Sequence, residues 1–326
     1  MTMQRAGVSK LWAVTTGAFL LGPLAWSQVS LEVRPRAASA VSAGPAAHLR
    51  IDQDLVLVPV TVSDSGDRLI TGLDKDRFRV FDDKVEQTVT QFAMEDEPTA
   101  IGLVFDVSGS MRSKLRRSRA AAQAFLETAN PDDEFFLVTF NDGPRLEVPL
   151  TGDPGQIQTH LAFTSSHGNT ALLDALYLAV NEIKKSTKPR KALLVISDGG
   201  DNASRFTEYE VRSLVREADV LIYGIGIYDS FGSHGQSAEE IYGPTLLGEI
   251  AGQTGGREFA VDDLRDLPDT ASKIGIELRN RYVLGFSPTD QRRDGRYHHV
   301  QVKVVQPRGM PKLQAHWRQG YFAPGE

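Results

Sequence analysis

Two hydrophobic rhythms divide this chain. Short runs that alternate or nearly alternate apolar and polar residues occur near both ends: residues 55–63, 78–82 and 87–92, then 281–286, 297–305 and 313–318. Period-two patterning with turn residues between the runs, such as Asp64-Ser-Gly-Asp67 and Asp82-Asp-Lys-Val85, predicts β-strands joined by turns. Neither group is large enough for a sandwich of its own, so the two together predict a small β-sandwich of about six strands. Between them the rhythm changes. Strands are predicted at 101–105, 134–140, 146–150, 192–197, 220–227 and 257–259. Helices are predicted at 113–129, 156–163, 171–185, 207–217, 244–253 and 263–279. Leu193-Leu-Val-Ile196 and 220–227 are continuously apolar, as strands covered on both faces are. This alternation predicts an α/β fold with a doubly wound, mostly parallel sheet. The expected organisation is a β-sandwich from residues 50–97 and 280–326, with the α/β domain, 98–279, inserted into it.

The first 27 residues follow another pattern. Arg5 and Lys10 precede an apolar stretch from Leu11 to Leu24, broken by Gly22-Pro23 and followed by Ala25-Trp26-Ser27. The stretch is shorter than the roughly 20 residues of a spanning helix. The layout is that of a secretory signal peptide cleaved after Ser27. Residues 28–49, rich in Ala, Ser and Pro, read as a disordered linker. An exported protein, periplasmic or extracellular, with no stable membrane span after cleavage is therefore expected.

Charge and composition narrow the chemistry. The net charge of the 326 residues is −6, and −8 without the first 27. No long basic run stands out, so a nucleic-acid partner is not expected. Arg112, Lys114, Arg116, Arg117 and Arg119 read as a solvated helix face. The chain has no cysteine, which excludes disulfides, thiolate metal sites, cysteine nucleophiles and acyl anchoring through a lipobox.

The candidate chemistry lies where predicted strands end or helices open. The run Ile101-Gly-Leu-Val-Phe-Asp106-Val-Ser108-Gly-Ser110-Met111 carries a buried strand into a carboxylate and two hydroxyls. Gly168-Asn169-Thr170 stands ahead of a helix, and Ser197-Asp198-Gly199-Gly200-Asp201-Asn202 follows a strand. In a doubly wound sheet such loops gather at the carboxyl edge. Alone, Asp106 with its serines reads as a helix N-cap, Thr170 likewise, and Ser-Asp-Gly as a turn. Together the three loops offer hard oxygen donors without histidine or thiolate, suited to Mg²⁺, with Mn²⁺ or Ca²⁺ as alternatives. Two carboxylates only neutralise such an ion formally, so it stays electrophilic toward one more anionic oxygen.

These three motifs, in this order, resemble the metal-ion-dependent adhesion site of von Willebrand factor type A (VWFA) domains. The whole chain, with Val58-Pro-Val-Thr-Val, Phe78-Arg-Val-Phe, Arg190-Lys-Ala-Leu-Leu-Val-Ile-Ser-Asp-Gly and the closing Gly320-Tyr-Phe-Ala-Pro, resembles an exported VWFA-related group common in Acidobacteria. The resemblance implies direct metal binding by Ser108 and Ser110, and by Thr170 in a ligand-engaged form. It implies that Asp106 and Asp198 bind directly or through water. It also implies a non-enzymatic binding protein whose partner offers a Glu or Asp carboxylate.

Other readings stand beside this one. A metal-dependent hydrolase or phosphatase would need a second acid where Ser108 stands, or a nucleophile elbow with a histidine; His167 is the one histidine near the motif loops. A structural subunit of a cell-envelope assembly is a further alternative. Asp174 reads as a structural carboxylate near a helix start, and Asp201 and Asn202 as residues able to support the site. His298-His299 lies in a predicted strand, whose neighbouring side chains face opposite ways and do not chelate one ion together. The Gly/Ser-rich loop 228–242, with His234, reads as a solvated loop, with a mobile rim that touches a partner as the alternative.

Overall fold

The computed structural model describes residues 55–94, 96–198, 200–228, 238–290 and 293–325, with backbone alone for 238–244. The segments expected as signal peptide and linker lie outside the described residues, as do 229–237 of the rim loop, with His234.

The chain opens with β1 (Val56–Asp64), β2 (Phe78–Asp82), β3 (Val85–Gln87) and β4 (Val89–Met94). The β2–β3 turn places Asp83 and Lys84 at φ 45° and 74°, the paired left-handed conformation that suits a two-residue hairpin. Next come β5 (Thr99–Asp106), α1 (Leu115–Leu126), β6 (Glu134–Phe140), β7 (Pro144–Thr151), α2 (Pro154–Phe163) and α3 (Leu172–Ile183). They are followed by β8 (Arg190–Ser197), α4 (Glu208–Ala218), β9 (Leu221–Ile227), α5 (Ala238–Thr254), β10 (Glu258–Val261) and α6 (Leu267–Arg279). The chain closes with β11 (Tyr282–Phe286), β12 (Tyr297–Val304), β13 (Leu313–Trp317) and β14 (Gly320–Phe322). Helix α5 starts at Ala238 rather than at Pro244, where proline's preference for the first helical turn suggests a start.

The central sheet has the order β10-β9-β8-β5-β6-β7. All its neighbours are parallel except β6 and β7. Every residue of β5 is buried. Ile101, Leu103 and Phe105 share one core with Phe125 of α1 and Ile274 of α6. Ala100 and Val104 share the other with Leu176 and Val180 of α3. Two apolar layers explain why β5 reads as an unbroken run. From β5 the chain first adds β6 on one side and later β8 on the other, so the ends of β5 and β8 lie at a switch in strand order.

Two four-stranded sheets flank this unit, β13-β1-β11-β4 and β14-β12-β2-β3. N- and C-terminal strands interleave in both: β1 lies between β13 and β11, and β12 between β14 and β2. Val58, Val60, Val80, Leu284, Phe286 and Val302 fill the space between them. Burying these apolar faces, at about 25 cal/mol per Å², is what holds the distant chain ends together. The α/β class and the flanking antiparallel sheets are as the pattern predicts. The strand count is not: eight strands replace about six, because β3 and β14 have three residues each, too few to show a period, and Val85 begins β3 instead of closing a turn.

Candidate functional site

Strand β5 delivers Asp106 to the carboxyl edge with no exposed surface. Its Oδ1 accepts the Ser108 N–H at 2.8 Å and its Oδ2 the Ser197 hydroxyl at 2.6 Å, linking the ends of β5 and β8. The Ser108 and Ser110 hydroxyl oxygens lie 3.0 Å apart. Ser108 is buried, whereas Ser110 is exposed. The second loop is fastened to the first by backbone: Gly109 N–H donates to Gly168 O at 2.9 Å and His167 N–H to Val107 O at 2.9 Å. Ser166 Oγ donates to Ser108 O. Gly168 makes this turn at φ +81°, a conformation that favours glycine.

Thr170 is held from the third loop. Its N–H donates to Asn202 Oδ1 at 2.9 Å, and its carbonyl accepts the N–H groups of Asn202 and Ala203. Asp201 Oδ1 accepts Leu172 N–H at 2.9 Å and the Ser204 hydroxyl at 2.6 Å. Asp201, from outside the helix, thus serves the first N–H groups of α3. Asp174 accepts the N–H groups of Arg205 and Phe206 at 2.8 and 3.0 Å, the structural part that its position suggests.

These contacts exclude the simple capping readings. The residue before α1 is Lys114 and the residue before α3 is Ala171, and neither helix has a side-chain cap at that position. The short 3₁₀ turn Gly109–Ser113 follows Ser108 without a cap from its hydroxyl. Neither Ser108, as the residue before the 3₁₀ turn, nor the residues just before α1 and α3 supply a side-chain cap. His167 faces Asn141 Nδ2 with one ring nitrogen, at 3.1 Å, and Ser165 O with the other, at 3.3 Å.

Lys114 departs from the expected solvated helix face. It is buried, and its Nζ lies 3.1 Å from Asp198 Oδ2, each side chain about 8% exposed. Lys114 sits at the start of α1 on the face that Ser118, Ala121, Ala122 and Phe125 bury, so helical spacing turns it inward and separates it from exposed Arg112 and Arg116. Burial, and then the charge of nearby Asp198, push the Asp106 carboxyl up to about 7. The rim thus gathers two buried acids that repel one another, one of them met by a lysine, beside three hydroxyls. This donor set, all oxygen and short of positive charge, fits a hard divalent cation.

Residues 101–200 match the family model of the von Willebrand factor type A domain. An uncharacterized protein of Borreliella burgdorferi is 28% identical over 214 residues, covering 56% of this chain and 62% of that one. Inter-alpha-trypsin inhibitor heavy chain H4 of Bos taurus is 23% identical over 134 residues, covering 37% of this chain and 15% of that one. The chain therefore spans less than two thirds of either curated relative. The solved von Willebrand factor type A structure from Catenulispora acidiphila is 13% identical, covers 82% of this chain and 72% of its own, and superposes with a TM-score of 0.49. Among the described residues, no helix is long and apolar enough to cross a membrane.

Proposed function

We propose that this chain is an exported, non-enzymatic binding protein whose VWFA domain captures a Glu or Asp side chain of a partner protein through a divalent cation. Asp106, Ser108, Ser110, Thr170 and Asp198 would hold the ion, Mg²⁺ first, in a metal-ion-dependent adhesion site. The observation that carries this reading is the buried Asp106 beside an Asp198 that already draws a lysine, at loops whose residues just before α1 and α3 supply no side-chain cap. When bound, such an ion supplies positive charge at a rim too acidic to attract a carboxylate unaided. The protein's own groups do the rest: Ser197 and the Ser108 N–H fix the Asp106 oxygens, and Asn202 fixes the Thr170 backbone. Export through residues 1–27, and the division into 50–97, 98–279 and 280–326, belong to the same proposal.

The test is capture of an envelope partner by the chain in Mg²⁺ and its release by chelator. Asp106→Ala should abolish capture. Ser110→Ala, at an exposed position with little bearing on the fold, should weaken it. Capture that persists in chelator, or is unchanged in both variants, refutes the proposal.

A further inference from the structure

We propose that the β-sandwich carries a second divalent-cation site, formed by Asp82, Asp83 and His298, which prefers an ion such as Zn²⁺ to Mg²⁺. Strand β2 ends at Asp82, and Asp83 begins the turn to β3. Antiparallel β12 sets Val300 opposite Asp82, which brings His298 to the same end of the sheet. One ligand atom from each of the three residues lies within 4.8 Å of the others. His299 faces the other way, as strand geometry requires. His298 gains its company from β2 and not from its neighbour.

The two carboxylates are arranged alike. Tyr321 donates its hydroxyl to Asp82 Oδ2 at 2.9 Å, and His299 N–H donates to Asp83 Oδ1 at 3.0 Å. Each acid thus has one oxygen fixed by the protein and the other aimed at His298 Nδ1. That nitrogen lies 3.5 Å from Asp82 Oδ1 and 3.2 Å from Asp83 Oδ2. Asp82 is 5% exposed, and its Oδ1 is buried without a hydrogen-bond partner. An orphaned carboxylate oxygen in such a position calls for a partner.

The spacing fits a particular coordination. With zinc–nitrogen and zinc–oxygen bonds of about 2.0–2.2 Å, neighbouring ligands of a tetrahedral ion stand about 3.3–3.6 Å apart. The His298 spacings to Asp82 and Asp83, 3.5 and 3.2 Å, fall at or near that range. Two carboxylates balance the charge of the ion, and an imidazole nitrogen favours zinc over magnesium. Outer contacts point the same way: the His298 ring stacks on Tyr321 at 5.3 Å, and its Nε2 faces Asp294 Oδ1 at 3.9 Å. An acid on that side favours a proton on Nε2 and leaves Nδ1 as the ligand atom. A cleft of about 390 Å³, lined in part by Pro288, Asp290, His298 and Tyr321, gives access from solvent.

The test uses the untagged chain carrying Asp106→Asn in excess Mg²⁺, which takes the first site out of the measurement. Zinc should bind with one equivalent, and Co²⁺ should give the visible bands of a tetrahedral site. Adding His298→Ala should weaken zinc by about 100-fold and abolish the bands, and Tyr321→Phe should weaken it roughly 10-fold. Should His298→Ala fail to fold, Asp83→Asn decides: its side chain is 51% exposed, the amide oxygen can still accept from His299, and zinc should weaken at least about 10-fold. Equal zinc affinity with and without these substitutions means an adventitious surface ion and overturns the proposal. So does zinc binding no tighter than about 1 mM in the Asp106→Asn chain.

Discussion

Replacing Lys114 by methionine tests how the carboxyl edge is balanced. The ammonium lies 3.1 Å from Asp198 Oδ2, and both side chains are about 8% exposed. At an effective dielectric of about 20 the gross attraction is about 5 kcal/mol. Most of this is offset by the desolvation of both charges, so the pair contributes little net stability. Removing one member is another matter, because Asp198 is then left buried beside Asp106 with that partner gone. The expected cost is about 3–5 kcal/mol. For a domain of this size, at about 2–4 °C per kcal/mol, the melting temperature should fall by on the order of 10 °C in chelator. Divalent cation should then restore more stability to Lys114→Met than to the unaltered chain, since a bound ion replaces the missing charge. An ion at about 100 times its Kd contributes about 2.7 kcal/mol. Scanning calorimetry in chelator and in saturating Mg²⁺ measures both effects. Two results would refute the reasoning: a Lys114→Met chain that melts in chelator where the unaltered chain does, or an equal Mg²⁺ increment in both.

Three further outcomes follow from the same structure. A methyl group at Gly102, in the middle of β5, would overlap Phe136 Cζ and Leu193 Cδ2; Gly102→Ala should lower stability by about 1–3 kcal/mol, read as a lower urea midpoint at unchanged slope. Asp201→Ala removes the acceptor of the first α3 N–H groups and should cost about 0.5–2 kcal/mol, with weaker Mg²⁺ binding because Thr170 precedes that helix. Burial works to raise the Asp174 carboxyl, but the N–H groups of Phe206 and Arg205 and the Arg205 guanidinium outweigh it and hold it below 3.8. Between the lowered value and 3.8 the unfolded chain binds more protons than the folded one, so stability rises with pH across that window. The stability gap between the unaltered chain and Asp174→Asn, read from urea midpoints, should be full above about pH 4 and close as acid takes the folded carboxyl through its lowered value; a constant gap would exclude this role.

Much of the fold was legible because burial leaves a period. The eight buried residues of β5 and the apolar runs of β8 and β9 mark covered strands whatever their order in the sheet. The three polar loops were legible as motifs. What they do with their hydroxyls was not: Asp106, Ser108 and Thr170 looked like helix caps until Lys114 and Ala171 took the positions before α1 and α3 and Asp201 reached across to α3. Lys114 itself was misplaced, because five basic residues in a short stretch read as one wet face, although Lys114 shares the buried face of Ser118, Ala121, Ala122 and Phe125.

The α/β core and the joining of both chain ends in flanking antiparallel sheets could be read from the residues alone. These follow from apolar burial, which is non-directional and therefore recorded in local patterning. Tertiary structure alone decided which charges meet. Lys114 and Asp198 are 84 residues apart, and Asp67 and Arg257 are 190 apart. Ion pairs and ligand sets are short-ranged and directional, so strand order and register select them, and neither is written in the spacing of residues along the chain.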